Sequence, residues 1–444
     1  MNISRKLKCC LLLLVIISFF SLISIAYGTA IICRDHYLVM IENDGFLLGI
    51  VQPGRNKLNP IFFSEEKVEA LYYSGDRSIN LLVSRGNKHG VKQYDLLKRD
   101  LRESRYMAAN PRTALFNRFN KKIIVGQREI YHLNSDEMDY RQVSLPGEVV
   151  DISPNGSFLV CKKRGEAGEI LQLIEAETGQ VLGEAPQENR LIQAGLDEEK
   201  QHITAVFLHD NFTAVTVIIY DFNIQKKQEI NVFLEGHFSC SMYDPETAQL
   251  VIGFFEESGL GYMQVSVLDA LTERIEKMKD IDGVAMIPSS PYLVYQQQGE
   301  LYIYDLQTKA VFETGISGEN LVITVSPNNQ TMAVAARENN QVTLWIYDLS
   351  HMFLRDFDET GGEITQLVWD REGENFFYVL QKDGIYTAYK AGIQGSSARK
   401  QIFQESKEFK IFWLDQAGDI NNIRQFNRGN LLQTDPTGGP KVSY

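Results

Sequence analysis

Cysteine is scarce in this chain. Five occur in 444 residues, two of them the adjacent Cys9 and Cys10, and none sits at zinc-site spacing. A disulfide-stapled fold is thereby excluded, and the core has to stabilise the chain by itself. Tryptophan is scarcer still, at three, and no Pro/Ser-rich linker divides the chain. Signatures of catalysis are missing too: there is no Gly-x-Ser-x-Gly elbow and no His-Glu-x-x-His. The histidines (His36, His89, His132, His202, His209, His237 and His351) are scattered. His202 and His209 flank one strand-like segment, but a separation of seven is poor ligand geometry. Basic charge is in deficit, with 44 Lys+Arg against 57 Asp+Glu and a net charge of −13. Such a surface repels phosphate at long range, so nucleic acid is not an expected partner.

What is present begins with an address. Arg5, Lys6 and Lys8 precede a stretch, Cys9 to Cys33, without a charged residue; Arg34 ends it. A signal-peptide core needs about 7–15 apolar residues and a spanning helix about 20, so the run satisfies both. Ala26-Tyr27-Gly28 offers small residues at the −3 and −1 positions of a cleavage site. Residues 1–33 are therefore expected to be either a cleaved signal peptide or an N-terminal hydrophobic helix that anchors the protein. In both cases the Lys/Arg cluster keeps the N-terminus in the cytoplasm and sends the rest across the membrane. The expected localisation is extracytoplasmic, periplasmic or secreted. Without residues 1–28 the balance is −16, and Cys33, Cys161 and Cys240 remain. Asn155-Gly-Ser, Asn211-Phe-Thr and Asn329-Gln-Thr match the glycosylation acceptor pattern, at close to chance frequency.

The rest of the chain repeats. Val91-Lys-Gln-Tyr94-Asp95-Leu96, Val217-Ile-Ile-Tyr220-Asp221-Phe222, Leu301-Tyr-Ile-Tyr304-Asp305-Leu306 and Leu344-Trp-Ile-Tyr347-Asp348-Leu349 alternate apolar residues and end on an acid. Val265-Ser-Val-Leu268-Asp269-Ala270 is read as a further copy, and Leu171-Gln-Leu-Ile174-Glu175-Ala176 has Glu instead. Weaker copies put Gln52, Asn134, Lys390 and Thr434 at the same place. The ten marks are spaced by 43, 39, 41, 46, 48, 36, 43, 42 and 44 residues. About 20 residues before most marks lies another strand closed by a turn. Val149-Val-Asp-Ile152-Ser153-Pro154-Asn155-Gly156 and Leu321-Val-Ile-Thr-Val325-Ser326-Pro327-Asn328 are the best copies. Four short strands per unit of about 40–50 residues describe a propeller blade.

These units resemble the WD-repeat, TolB-like and quinoprotein-like β-propellers over residues 36–434. The closing Trp-Asp of WD repeats is Tyr-Asp here, and the Gly-His pair occurs once, as Gly236-His237. Glu175-Ala-Glu-Thr178-Gly179 and Asp269-Ala-Leu-Thr272 are similar to the Asp-Ala-x-Thr-Gly turn of quinone-binding propellers. The docking tryptophan that should follow is absent, so no quinone is expected. The resemblance implies an all-β fold: one β-propeller of four-stranded blades over residues 34–444. Eight blades are favoured within a range of seven to nine. Phe409-Lys-Ile-Phe-Trp413 and Phe46-Leu-Leu-Gly-Ile50 are expected to share the closing blade.

Candidate sites are few. The repeated Asp residues are expected to accept backbone N–H bonds in the turns that follow, not to form a catalytic ring. Asp356-Phe-Asp358-Glu-Thr360-Gly361 opens like a calcium loop, but its twelfth position is Leu367, so an acidic turn between blades is the better reading. Gly259-Leu-Gly261 reads as a loop and lacks the third glycine of a dinucleotide motif. No catalytic, cofactor or metal residue is named. One local departure stands out: Lys98, Arg99, Arg102, Arg105, Arg112, Arg118, Lys121 and Lys122 against Asp100 and Glu103. This stretch suits anionic lipid or an acidic partner, with Arg102, Arg105 and Arg112 as contacts, unless it is simply a solvated outer strand and inter-blade loop. The function expected first is a non-catalytic, protein-binding or scaffold propeller outside the cytoplasm. The alternative is a lactonase- or hydrolase-like enzyme, or a small-ligand binder, with its site at the central funnel.

Overall fold

The computed structural model describes residues 37–413, apart from 43–45, 52–56, 75–77, 97, 108–112, 117–121, 135–136, 154, 167, 245–246, 257–258, 277, 279–280, 288, 339–340, 371 and 394–398. The N-terminal segment expected as a signal or anchor helix, the mark at Thr434, and Arg112 lie outside the described residues. Among the described residues, no helix is long and apolar enough to cross a membrane.

Thirty-six strands pair into nine antiparallel sheets of four. Eight sheets are built from consecutive strands: blade 2 over residues 67–103, blade 3 over 113–144, blade 4 over 148–187 and blade 5 over 190–233. Blades 6 to 9 follow over 237–274, 283–317, 319–361 and 363–405. Blade 1 joins the two ends of the chain. Its first strand is Phe409–Trp413, which pairs with Tyr37–Glu42; Phe46–Val51 and Leu58–Ser64 complete it. Neighbouring sheets approach through their first strands, which form the innermost layer. The molecule is a nine-bladed β-propeller.

The expectation of eight blades is corrected to nine, because each mark from Asp95 to Lys390 belongs to the third strand of a blade or the turn after it, and the joined chain ends make one blade more. One mark was misplaced. The third strand of blade 6, Gly259–Ser266, ends three residues before Asp269. Ser266 is thus the equivalent of Asp221 and Asp305, which removes the uneven spacing of 48 and 36. Two local expectations also change. Asp356 to Gly361 belong to a fourth strand, Phe353–Gly361, rather than to a turn. Gly259 and Gly261 open a strand rather than lie in a loop.

Nine apolar clusters fill the nine seams between blades. The second strands supply both sides of each seam, because adjacent residues on a strand point to opposite faces. Phe207 packs toward blade 4 while its neighbours Val206 and Leu208 pack toward blade 6; Phe376 packs toward blade 8 and Phe377 toward blade 1. The ring is also locked by polar bonds where it closes. Gln366 of blade 9 donates its Nε2 to the Ile411 carbonyl and accepts the Ile411 N–H, both at 2.9 Å.

Both kinds of acid-bearing turn lie at one end of the blades. The turn after the third strand is bonded to the turn after the first, as in Ala176 N to Ser157 O (2.9 Å) and Leu349 N to Gln330 O (2.8 Å). We call this end the turn face. At the opposite end, crossings between blades meet the second-to-third-strand turns, as in Leu234 N to Thr213 O (2.8 Å).

Candidate functional site

The recurring acids act in the turns. Asp221 Oδ1 accepts the Asn223 and Gln225 N–H groups at 2.9 and 2.8 Å, and Asp348 Oδ1 accepts those of Ser350 and His351 at 3.0 Å each. Asp305 accepts the N–H groups of Gln307 and Thr308 and the Thr308 hydroxyl, and Asp95 accepts Lys98 N–H. The bond and charge of Lys227, together with those N–H groups, hold the Asp221 carboxyl below the usual range. Burial pushes the Asp348 carboxyl up, but the bonds from His351 and Ser350 outweigh it and leave it lowered. Asp269, out of register, accepts the Ser266 hydroxyl instead.

The first strands carry a feature that the sequence did not show. Their pairing with the second strand is interrupted at the same register in blades 2, 4, 5, 6 and 9, where Glu69, Val150, Ile192, Ser239 and Thr365 are extra residues. Such bulges bend a strand and re-aim its side chains. Asp151 directly follows one of them. Its side chain is half-buried on the innermost layer, and its Oδ2 accepts Leu196 N–H of blade 5 at 3.1 Å. Burial raises its carboxyl to about 6, against the pull of the Ile152 and Leu196 N–H groups. Tyr243 of blade 6 lies beyond it, packed on Gly195 and bonded to Thr204 Oγ1 at 2.9 Å. Among the described residues, no three His, Cys, Asp or Glu side chains group as metal ligands would. Cys161 and Cys240 are free thiols; burial pushes Cys161 up to about 12, far from a reactive thiolate.

Three residues of the basic stretch meet carboxylates, while Arg112, Arg118 and Lys121 lie outside the described residues. Arg105 pairs with Asp139 of blade 3, Arg102 Nε lies 3.7 Å from Asp100, and Lys98 Nζ lies 3.7 Å from Asp95. Arg102 lies on the outer strand of blade 2, and Arg105 in the crossing that leaves it. Beneath this edge, in the seam between blades 1 and 2, lies a charged cluster that no motif announced. Lys92 and Glu66 are both buried and meet at 2.6 Å. Arg85 also reaches Glu66, and Tyr106 donates its hydroxyl to Glu66 at 2.6 Å. Lys92 stands 5.2 Å from the centre of the Phe62 ring. Burial raises the Glu66 carboxyl, but Lys92, Tyr106 and Arg85 together keep it below its ordinary value.

Blade 5 displays the other departure. At the second-to-third-strand turn most blades place glycine in the left-handed region, as at Gly86 (φ 60°), Gly299 (81°) and Gly384 (75°). Blade 5 places Phe212 there, with φ 60°. A bulky residue in this region is strained by its Cβ. Its ring is nevertheless 47% exposed, and Phe233, which ends the neighbouring outer strand, is 77% exposed. The turn is held by Phe212 N to His209 O (2.9 Å) and Thr213 N to Asn211 Oδ1 (3.1 Å), and Phe212 O accepts Phe238 N–H of blade 6 at 2.7 Å. Exposed Asp210 and Glu235 flank the two rings in sequence.

Comparison with known proteins agrees on architecture. No family model matches the chain, and no curated protein sequence matches it. Solved structures do. A crystal structure titled as the eukaryotic initiation factor is similar over 87% of this chain and all of its own, at 11% identity and a TM-score of 0.61. Dipeptidyl peptidase 4 of Porphyromonas gingivalis is similar over 78% of this chain and 64% of its own, at 9% identity and a TM-score of 0.50. At such identities the likeness is one of fold. The propeller is shared; the chemistry is not carried with it.

Proposed function

We propose that this chain is a non-catalytic propeller outside the cytoplasm that works as a protein-binding scaffold. The observation that carries the reading is the Phe212–Phe233 pair. The counterpart turns of blades 2, 7 and 9 have glycine in the left-handed region, joined in blades 7 and 9 by the polar Gln298 and Asp383. Blade 5 holds an aromatic ring in solvent there, in a conformation that costs a non-glycine residue about 1–3 kcal/mol. Exposed aromatics of this kind are the usual anchors of protein interfaces. The exposed Asp210, close to Phe212 in sequence, favours a partner with an apolar centre and a basic flank, since Glu235 already pairs with Arg274. The acids repeated along the chain support the same reading, since most of them are engaged in backbone bonds. The edge at Arg102, Arg105 and Arg112 is proposed as a second contact, for an acidic partner.

The test is a crosslinking pull-down of the full-length protein from its native envelope beside the Phe212→Gly/Phe233→Ser variant. The variant folds at least as well, because glycine relieves the turn. Loss of a near-stoichiometric partner with the variant supports the scaffold; equal recovery sinks the blade 5 contact. Reversing Arg102, Arg105 and Arg112 to Glu tests the second contact in the same assay.

A second reading rests on Asp151. A carboxyl raised to about 6 on the innermost layer is poised for proton transfer near neutral pH. It supports a ligand-binding or enzymatic funnel. A substrate screen in which Asp151→Asn abolishes turnover would favour it over the scaffold.

A further inference from the structure

The path of the chain suggests which face of the disc meets a membrane. Tyr37 pairs with Trp413, the end of the innermost strand, and with Val51, the end of a third strand. First and third strands both end at the turn face, so the described chain begins and finishes there, beside the axis. The uncharged run from Cys9 to Cys33 precedes Tyr37 by only residues 34–36. The four steps from Cys33 to Tyr37 reach about 13–14 Å when fully extended. A run retained in a bilayer therefore holds the turn face within that distance of the lipid near blade 1.

The same face carries exposed apolar side chains near the starts of four outer strands. Leu101, Leu182, Leu271 and Phe353 begin the outer strands of blades 2, 4, 6 and 8, one to three residues after the left-handed residue of the preceding turn. All four are exposed, and Leu268 joins them within the blade 6 turn. At the opposite end the exposed large apolar residues among the described ones are Phe63, Phe212, Phe233 and Ile385, two of them on blade 5. Exposed apolar side chains spread over four blades fit a broad surface; two on one blade fit a protein partner.

We propose that the N-terminal run is retained as an anchor and that the turn face lies against a zwitterionic lipid surface, with Leu101, Leu182, Leu268, Leu271 and Phe353 in contact with it. This rests on the extracytoplasmic reading above. The acids of this face, such as Glu177, Glu199 and Asp269, are repelled by anionic headgroups, which is why the lipid is zwitterionic. Phe212 and Phe233 then point away from the membrane, free to meet a partner.

The experiment is lysine labelling with a water-soluble acylating reagent on the full chain held in phosphatidylcholine vesicles. Lys98, Lys200 and Lys226 report on the turn face; Lys88, Lys163 and Lys382 report on the other. Turn-face lysines are expected to react severalfold more slowly than the others. In a Leu271→Glu/Phe353→Glu variant the difference should collapse while the chain still floats with the vesicles. Equal reactivity at both ends, or a difference the variant leaves unchanged, overturns the lipid contact and leaves the export reading intact. A chain that does not float overturns the anchor and the face together. The partner assay on Phe212 is independent of both outcomes.

Discussion

Blades 2 and 5 solve the same packing problem with different materials. In blade 5 the second strand from Ile203 to Leu208 and the third from Ala214 to Tyr220 are buried throughout, and apart from Thr204 and Thr216 they are apolar. Thr204 receives the Tyr243 hydroxyl, and Thr216 bonds to Asn231. In blade 2 the corresponding interior contains Ser78, Asn80, Lys92 and Gln93. Gln93 Nε2 is answered by Ser78 at 3.0 Å, and Lys92 by Glu66. Four antiparallel strands result in both, with the inner three of similar length and an outer strand of four residues in blade 2 against eight in blade 5. The blade is a backbone geometry that accepts an apolar or a polar filling, provided that a buried charge such as Lys92 meets its counter-charge.

The largest effects come from emptying either filling. Lys92→Ala leaves the Glu66 carboxylate buried with less compensation and should cost about 3–5 kcal/mol, while Lys92→Met with Glu66→Gln should come close to neutral. Phe207→Ala should cost a similar 3–5 kcal/mol through its cavity, with no such rescue. Urea unfolding of the four chains checks both. A destabilised Lys92→Met/Glu66→Gln chain would show that blade 2 needs its charges rather than tolerates them.

Next comes a pH effect at the seam between blades 4 and 5. The folded-state carboxyl of Asp151 is raised to about 6. The protonated form is the one that the fold favours, so this stabilisation is fully present below about pH 4 and is lost as pH rises through about 6. The loss is at most about 3 kcal/mol for a shift of this size. Asp151→Asn should match the native chain at pH 4 and exceed it at pH 7. Parallel stability–pH curves for the two chains would contradict the assignment.

The turns repeat the contrast on a smaller scale. Asp305→Ala strands two N–H groups and a hydroxyl at a buried site and should cost about 1–3 kcal/mol. Asp95→Ala in blade 2 loosens its turn at a wetter site and should cost less than about 1 kcal/mol. Thermal midpoints in the reverse order would break the comparison. Smallest of all, Arg102→Ala removes an exposed pair and should stay within about 0.5 kcal/mol, even as it tests partner binding.

Strand order, the period near 42 residues and the Asp staples were legible because each depends on neighbours in sequence: alternation of side chains, turn residues, and an acid within reach of N–H groups two to four positions on. Asp269 was misread because Val-Leu-Asp copies the local pattern without the strand ending there. The closing blade was legible as well, since Phe409 to Trp413 and the first strand-like segment were each incomplete alone.

The blade count, the bulges that aim Asp151, the Glu66–Lys92 cluster and the strain at Phe212 were decided by tertiary structure. Each joins residues on different strands or blades, or depends on a backbone angle that the residue type disfavours. A local pattern reports on contacts along one strand. How many such units close a ring, and which side chains then face one another across its seams, is settled by the packing of every blade against the next.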